Sequence, residues 1–238
     1  MENKKDNQNV MYKLGIYHSD DKMSDLVCEN YQTLFVLSRF NISLGFGEKS
    51  IAEVCEDNGV DTNTFLAVVN TILDPDDVGS DVVAGISPDA FLKYLHSSHE
   101  YFLDFKFPTI RKELIEALDC SETEITFAVM KFFDEYAQEV RKHMMYEENN
   151  VFPYVRRLIS GERPTDYSIE IFRKHHDSVE AKLTEFKNIL IKYYPAKNSN
   201  PLNNTLFDIF TCESDLAQHN YVENTLFVPL VKRMEADE

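Results

Sequence analysis

Two residue pairs carry the most conspicuous chemistry: His143 with Glu147, and His219 with Glu223, each four positions apart. Four residues of an α-helix rise about 6 Å, and positions i and i+4 share a face. Each pair therefore offers an imidazole nitrogen and a carboxylate oxygen in one direction, a donor set suited to iron, manganese or zinc. His99 and His176 add two further nitrogens. A lone core histidine is ordinarily a satisfied packing residue, and an isolated His-x-x-x-Glu reads equally well as a surface pair. The chain has 7 histidines, and the position of these four on their helices decides between the two readings.

Alternating steps of three and four residues trace the core-facing seam of each helix. The first seam reads Leu92, Leu95, His99, Phe102. The second reads Ile125, Val129, Phe132, Tyr136, Val140, His143, Glu147, Val151. The third is Ile169, Phe172, His176, Val179, Leu183, Phe186, Leu190, Tyr193, and the fourth is Ile209, Cys212, Leu216, His219, Glu223, Leu226, Leu230. Each helix thus presents a histidine to the core, and two present a glutamate one turn later. A buried ionised carboxylate without a partner loses several kcal/mol of solvation. A divalent cation removes that cost: two carboxylates bridging two metals, with histidines completing the shells, make a di-iron centre in a helical bundle, with positions left open for water, O2 or NO. His96, one turn before Glu100, stands either in an outer shell or in solvent. His175 lies off the seam at the surface, and His18 has no assigned role.

These seams need four long helices. Ser87-Pro88 pairs an N-cap with proline at the first helical position, Ser121-Glu-Thr-Glu124 is a capping box, and Pro164 to Ser168 and Asn203 to Thr205 precede the last two segments. The first segment runs from Pro88 towards Leu118 with Pro108 inside it, where a kink is expected. Short connections predict an antiparallel four-helix bundle over 87–238. The stretch Asp74-Pro-Asp-Asp-Val-Gly-Ser-Asp81 breaks the periodicity and places a boundary between about 74 and 87. Before it, a small helical domain over 1–80 contains Leu26, Val27, Tyr31, Leu34 and Leu37 at helical spacing. There Ser50-Ile-Ala-Glu53 caps one helix that Asn58-Gly59 stops, and Asp61 starts another through Leu73.

Composition agrees with an all-α chain. Only 7 Gly and 8 Pro in 238 residues leave little material for an all-β fold. A formal net charge of -17 repels phosphate backbones and excludes nucleic acid as a partner. No apolar run approaches the ~18 residues of a membrane span, and no secretory signal is read at the N-terminus. Cys28, Cys55, Cys120 and Cys212 are widely spaced without a Cys-x-x-Cys pair, the usage of reduced thiols in a cytoplasm. No glycine-rich phosphate loop or nucleophile constellation stands out.

The stretches Arg141-Lys-His143-Met-Met-Tyr-Glu147-Glu-Asn-Asn-Val-Phe-Pro153, His176-Asp177 and His219-Asn-Tyr-Val-Glu223-Asn-Thr-Leu-Phe-Val-Pro229 resemble the hemerythrin-like signatures of the di-iron repair-of-iron-centres family (ScdA/YtfE type). Phe40-Asn-Ile-Ser-Leu-Gly-Phe-Gly47 with Ile51-Ala-Glu-Val-Cys55-Glu-Asp-Asn-Gly-Val-Asp61 is similar to the short helical domain that precedes the bundle in that family. The resemblance implies that His99, His143, His176 and His219 ligate two iron ions, bridged by Glu147 and Glu223. Two departures stand out. Leu118-Asp119-Cys120-Ser121 replaces the stretch holding a further family histidine, which leaves Asp119, another carboxylate or water in its place. The family's paired cysteines are absent from Ser43-Leu-Gly-Phe-Gly47.

The resemblance implies a cytoplasmic non-haem di-iron protein that restores iron–sulfur clusters damaged by nitric oxide or oxidants, with damaged cluster proteins as partners and O2 or NO as small ligands. A hemerythrin-like O2 or NO carrier or redox sensor is the alternative. A bundle whose core polar groups pair among themselves without metal is the third. Oligomeric state is not legible.

Overall fold

The computed structural model describes residues 16–74, 80–118, 123–175, 180–194 and 199–236. Asp119, Cys120, His176, Val179 and the Ser121 end of the expected capping box fall outside the described residues, as does the side chain of His175. The described residues form two compact units, one ending at Ala90 and the other starting at Phe91. No strand occurs among them, only an isolated bridge between Lys22 and Ser50.

The first unit packs α1 (Met23–Glu29), α2 (Thr33–Arg39), α3 (Ile51–Asp57), α4 (Thr62–Leu73) and α5 (Ser80–Ala84). Ser50 Oγ accepts from the Glu53 amide at 3.3 Å while Glu53 accepts from the Ser50 amide at 2.8 Å, a reciprocal cap that fixes the start of α3. Gly59 ends that helix with φ +64°, and Asp61 caps α4 by accepting from the Thr64 amide at 2.8 Å. The periodicity from Leu26 to Leu37 does not make one helix. It breaks after Glu29, because Asn30 turns to donate to the Tyr17 hydroxyl at 2.9 Å and to receive the Thr33 hydroxyl on its carbonyl at 2.7 Å. Tyr31 and Leu34 consequently face solvent while Val36, Leu37 and Phe65 fill the core. The expected linker also carries a helical turn, α5, on its far side.

Three rods of the second unit share one design. The first is α6 (Pro88–Glu100), a π-helical turn π1 (Tyr101–Lys106) and α7 (Phe107–Ala117). The second is α8 (Thr123–Tyr146), π2 (Glu147–Val151) and α9 (Phe152–Ile159). After α10 (Ile169–His175) and α11 (Glu180–Tyr193) comes the last rod, α12 (Ser199–Val222), π3 (Glu223–Phe227) and α13 (Val228–Ala236). Helix α7 packs on α8, α8 on α11, α11 on α12 and α12 on α7, which closes the four-helix ring. Ser87 Oγ caps α6 through the Ala90 amide at 3.4 Å. The last rod starts earlier than Asn203 to Thr205 suggests, because Pro201 is tolerated in a first turn whose amides have no helical partner.

The wide turns have a sequence cause. Pro108, Pro153 and Pro229 each stand at the second residue after a π turn, where a proline ring clashes with the carbonyl four residues back and donates no hydrogen bond. Widening the preceding turn relieves the clash: Phe107, Phe152 and Val228 donate their amides five residues back, to the carbonyls of Phe102, Glu147 and Glu223. The expected kink at Pro108 is therefore a π turn, and it recurs twice.

The core seams hold with three local slips. Val129, Tyr136 and Val140 are buried as expected, but Phe133 takes the place of Phe132 and Ile125 lies at the surface. On α11 Leu183, Phe186 and Leu190 are buried, yet Tyr193 is 73 % exposed and Tyr194 only 7 %. Alternating three and four steps drift against a 3.6-residue turn, and the error accumulates at the ends of long helices.

Candidate metal centre

Each of the three π turns lies beside a residue that could bind metal. His99 occupies the last turn of α6, two residues before π1, while Glu147 and Glu223 open π2 and π3. His143 and His219 lie one turn earlier, in the last turns of α8 and α12. The wide turn displaces the helix laterally, and the carbonyls of the two glutamates accept its long-range amide bonds. Backbone and carboxylate are thus held by the same local feature.

Four of these side chains converge: ligand atoms of His99, Glu147, His219 and Glu223 all lie within 4.8 Å of one another, and all four residues are buried. His99 Nε2 is 3.0 Å from Glu147 Oε2, His143 Nε2 is 3.0 Å from Glu147 Oε1, and His219 Nε2 is 3.2 Å from Glu223 Oε1. Close as they are, His99 Nε2 and both Glu147 oxygens, like both ring nitrogens of His219, lack a hydrogen bond of acceptable angle. One ligand atom from each of the four residues can thus face a common centre, with no hydrogen bond among these atoms to satisfy it. Metal–ligand bonds of roughly 2.1 Å at right angles put neighbouring ligand atoms about 3.0 Å apart. The donors present therefore fit a cation, and they are nitrogen and oxygen donors without thiolate.

The surroundings hold the rings and exclude water. His99 stacks on Phe152 with centroids 5.4 Å apart and planes 5° from parallel, and meets His219 edge-on at 5.3 Å. Phe102 abuts the other side of His219 at 5.8 Å. Phe227 packs against both Phe91 and Phe152 at 6.0 Å. Burial opposes protonation of His99, but the adjoining Glu147 and Glu148 outweigh it and push its pKa up to about 9. Burial likewise opposes protonation of His143, and Glu147 raises it. In the cation-free protein, protons thus take over part of the charge compensation that a metal would supply.

Of the six residues expected at the site, four cluster, His143 joins them through Glu147, and His176 lies outside the described residues. Sequence reasoning missed Glu148. Its Oε1 accepts from His99 Nδ1 at 2.8 Å and from His96 Nδ1 at 2.9 Å, so His96, itself half exposed, pairs with the same carboxylate that holds a histidine of the cluster. Burial raises the Glu148 pKa, and these two histidines more than reverse that, so the carboxylate is ionised and acts as acceptor only. The available signal was the Glu147-Glu148 doublet opposite His96 and His99, which share a helix face at a spacing of three. A groove lined by Arg111, Phe127, Met130 and Asp134 shares no residue with the cluster.

The hemerythrin HHE cation binding domain matches residues 90–231, more than half of the chain. A search of curated proteins gives no match. No helix among the described residues is long and apolar enough to cross a membrane.

Proposed function

The chain belongs to the hemerythrin HHE cation-binding domain family, and on that premise we propose that it is a cytoplasmic non-haem di-iron protein that helps restore iron–sulfur clusters damaged by nitric oxide or oxidants. The observation that carries the reading is the convergence of His99, Glu147, His219 and Glu223 in a buried layer. Glu147, Glu223, His99, His143, His176 and His219 would hold the two ions, with Asp119, another carboxylate or water as a further ligand. Iron held there would supply redox and Lewis-acid chemistry towards a small ligand such as O2 or NO.

The rest of the chemistry belongs to the chain. Histidine and carboxylate hold iron less tightly than four thiolates would, which favours release to a damaged cluster. Phe91, Phe102, Phe152 and Phe227 keep bulk water from the layer. In the first unit, burial pushes the Cys55 thiol up to about 11, against a hydrogen bond from Thr62 that lowers it, which disfavours the thiolate.

The test is reactivation of a [4Fe–4S] enzyme previously inactivated by NO. The iron-loaded wild type restores activity, and the Glu147→Ala/Glu223→Ala variant does not; equal restoration by both would refute the repair role. Reversible O2 charge-transfer absorption without loss of iron, combined with no reactivation, would make the protein a carrier or sensor.

A further inference from the structure

Stacking on Phe152 fixes the plane of the His99 ring but not its direction in that plane. A half-turn about the bond joining the ring to Cβ preserves the stack and puts Cδ2 in the place of Nδ1 and Cε1 in the place of Nε2. Only one of the two orientations turns Nε2 towards Glu147. The choice is made by Glu148, whose Oε1 receives Nδ1–H at 2.8 Å and thereby leaves Nε2 without a proton in the neutral ring. The same oxygen is held from the outside by His96 Nδ1 at 2.9 Å, and His96 Nε2 stands 3.6 Å from Glu100. Burial grades along this chain: Glu147 is fully buried, Glu148 is 17 % exposed and His96 is 49 % exposed.

We infer that Glu148, steadied by His96, is a positioning residue for the metal layer: it fixes the tautomer and direction of His99 without itself binding the ion. The inference rests on the metal reading given above. A purely superficial His96–Glu148 pair would not need the same oxygen to serve a buried ring.

Full-length protein, stripped of metal and titrated anaerobically with Co(II) against a chelating competitor, tests this. Wild type, Glu148→Ala, Glu148→Gln and His96→Ala are compared by stoichiometry, affinity and the ligand-field spectrum. Glu148→Ala is expected to keep the wild-type stoichiometry, to bind roughly 10–100-fold more weakly and to show shifted ligand-field bands. Glu148→Gln, whose amide oxygen can still accept from Nδ1, recovers part of the affinity. His96→Ala loses under about tenfold. Unchanged thermal midpoints of the metal-free variants show that folding is intact, and His96→Ala, altered at the surface, keeps the test open if Glu148→Ala fails to fold. Wild-type affinity and spectrum in Glu148→Ala and His96→Ala overturn the inference alone. Loss of a whole metal equivalent in Glu148→Ala overturns it in favour of a direct ligand. A wild type that takes up no Co(II) overturns the metal reading and this inference together.

Discussion

Towards one end of the bundle, Phe107 meets Phe133 and Tyr136 edge to face, Phe133 packs on Phe186, and Ile209 and Cys212 complete an apolar layer. Around π1, π2 and π3 the same rods turn His99, Glu147, His219 and Glu223 inward, all of them buried. The apolar layer is stable because its side chains leave water; the polar layer is a cost unless something neutralises it. The contrast lies in how each responds to a cation, and perturbing one layer at a time makes it measurable.

The largest effect belongs to the apolar layer. Phe186→Ala removes a fully buried ring and should lower unfolding free energy by about 3–5 kcal/mol, by the same amount with and without metal, as read by denaturant titration. Next comes the polar layer. At a free metal concentration 100 times its dissociation constant, the wild type should gain about 3 kcal/mol. Glu147→Gln/Glu223→Gln should gain nothing from the same metal concentration. A double variant whose midpoint still rises with metal would erase the contrast.

Acidity sharpens it further. The folded His99 pKa of about 9 exceeds its ordinary 6.5. Its contribution to the metal-free protein is therefore full below about pH 6.5 and is lost as pH rises through about 9. Metal must displace that proton, so metal affinity should run the opposite way and weaken on acidification below pH 9. Paired melting curves across this window, with and without metal, should diverge in slope; parallel curves would show that His99 does not compete for the cation. Smallest is the first unit, which has no part in the contrast. Ser50→Ala breaks its capping box and should cost about 1 kcal/mol by thermal melting, with no effect on metal content.

Much of this was legible because helices repeat. Leu92, Leu95, His99 and Phe102, and every residue from Ile209 to Leu230 on the last seam, are buried where a 3.6-residue period puts them. The caps at Ser50 and Asp61 and the stop at Gly59 were legible for local reasons, since each needs only its own turn. The exchange of Tyr193 for Tyr194 came from a step pattern that drifts over long helices, and that of Phe132 for Phe133 from taking a three-residue step before a four-residue one between Val129 and Tyr136. The π turns escaped a periodicity search because it presumes a constant turn, although a proline six residues after Glu147 and after Glu223 marks both. Glu148 escaped because it stands one residue off the seam, and its partners lie on another helix, about fifty positions away. Contacts between distant segments are what a pattern along a single chain does not display.

The central claim is that the buried histidines and glutamates exist to hold metal. Metal analysis of protein freshly isolated from iron-replete cells, set against Glu147→Ala/Glu223→Ala prepared identically, tests it most directly. The account predicts two iron ions per chain in the wild type and essentially none in the variant. Equal iron in the two, or none in either after anaerobic loading, would contradict it.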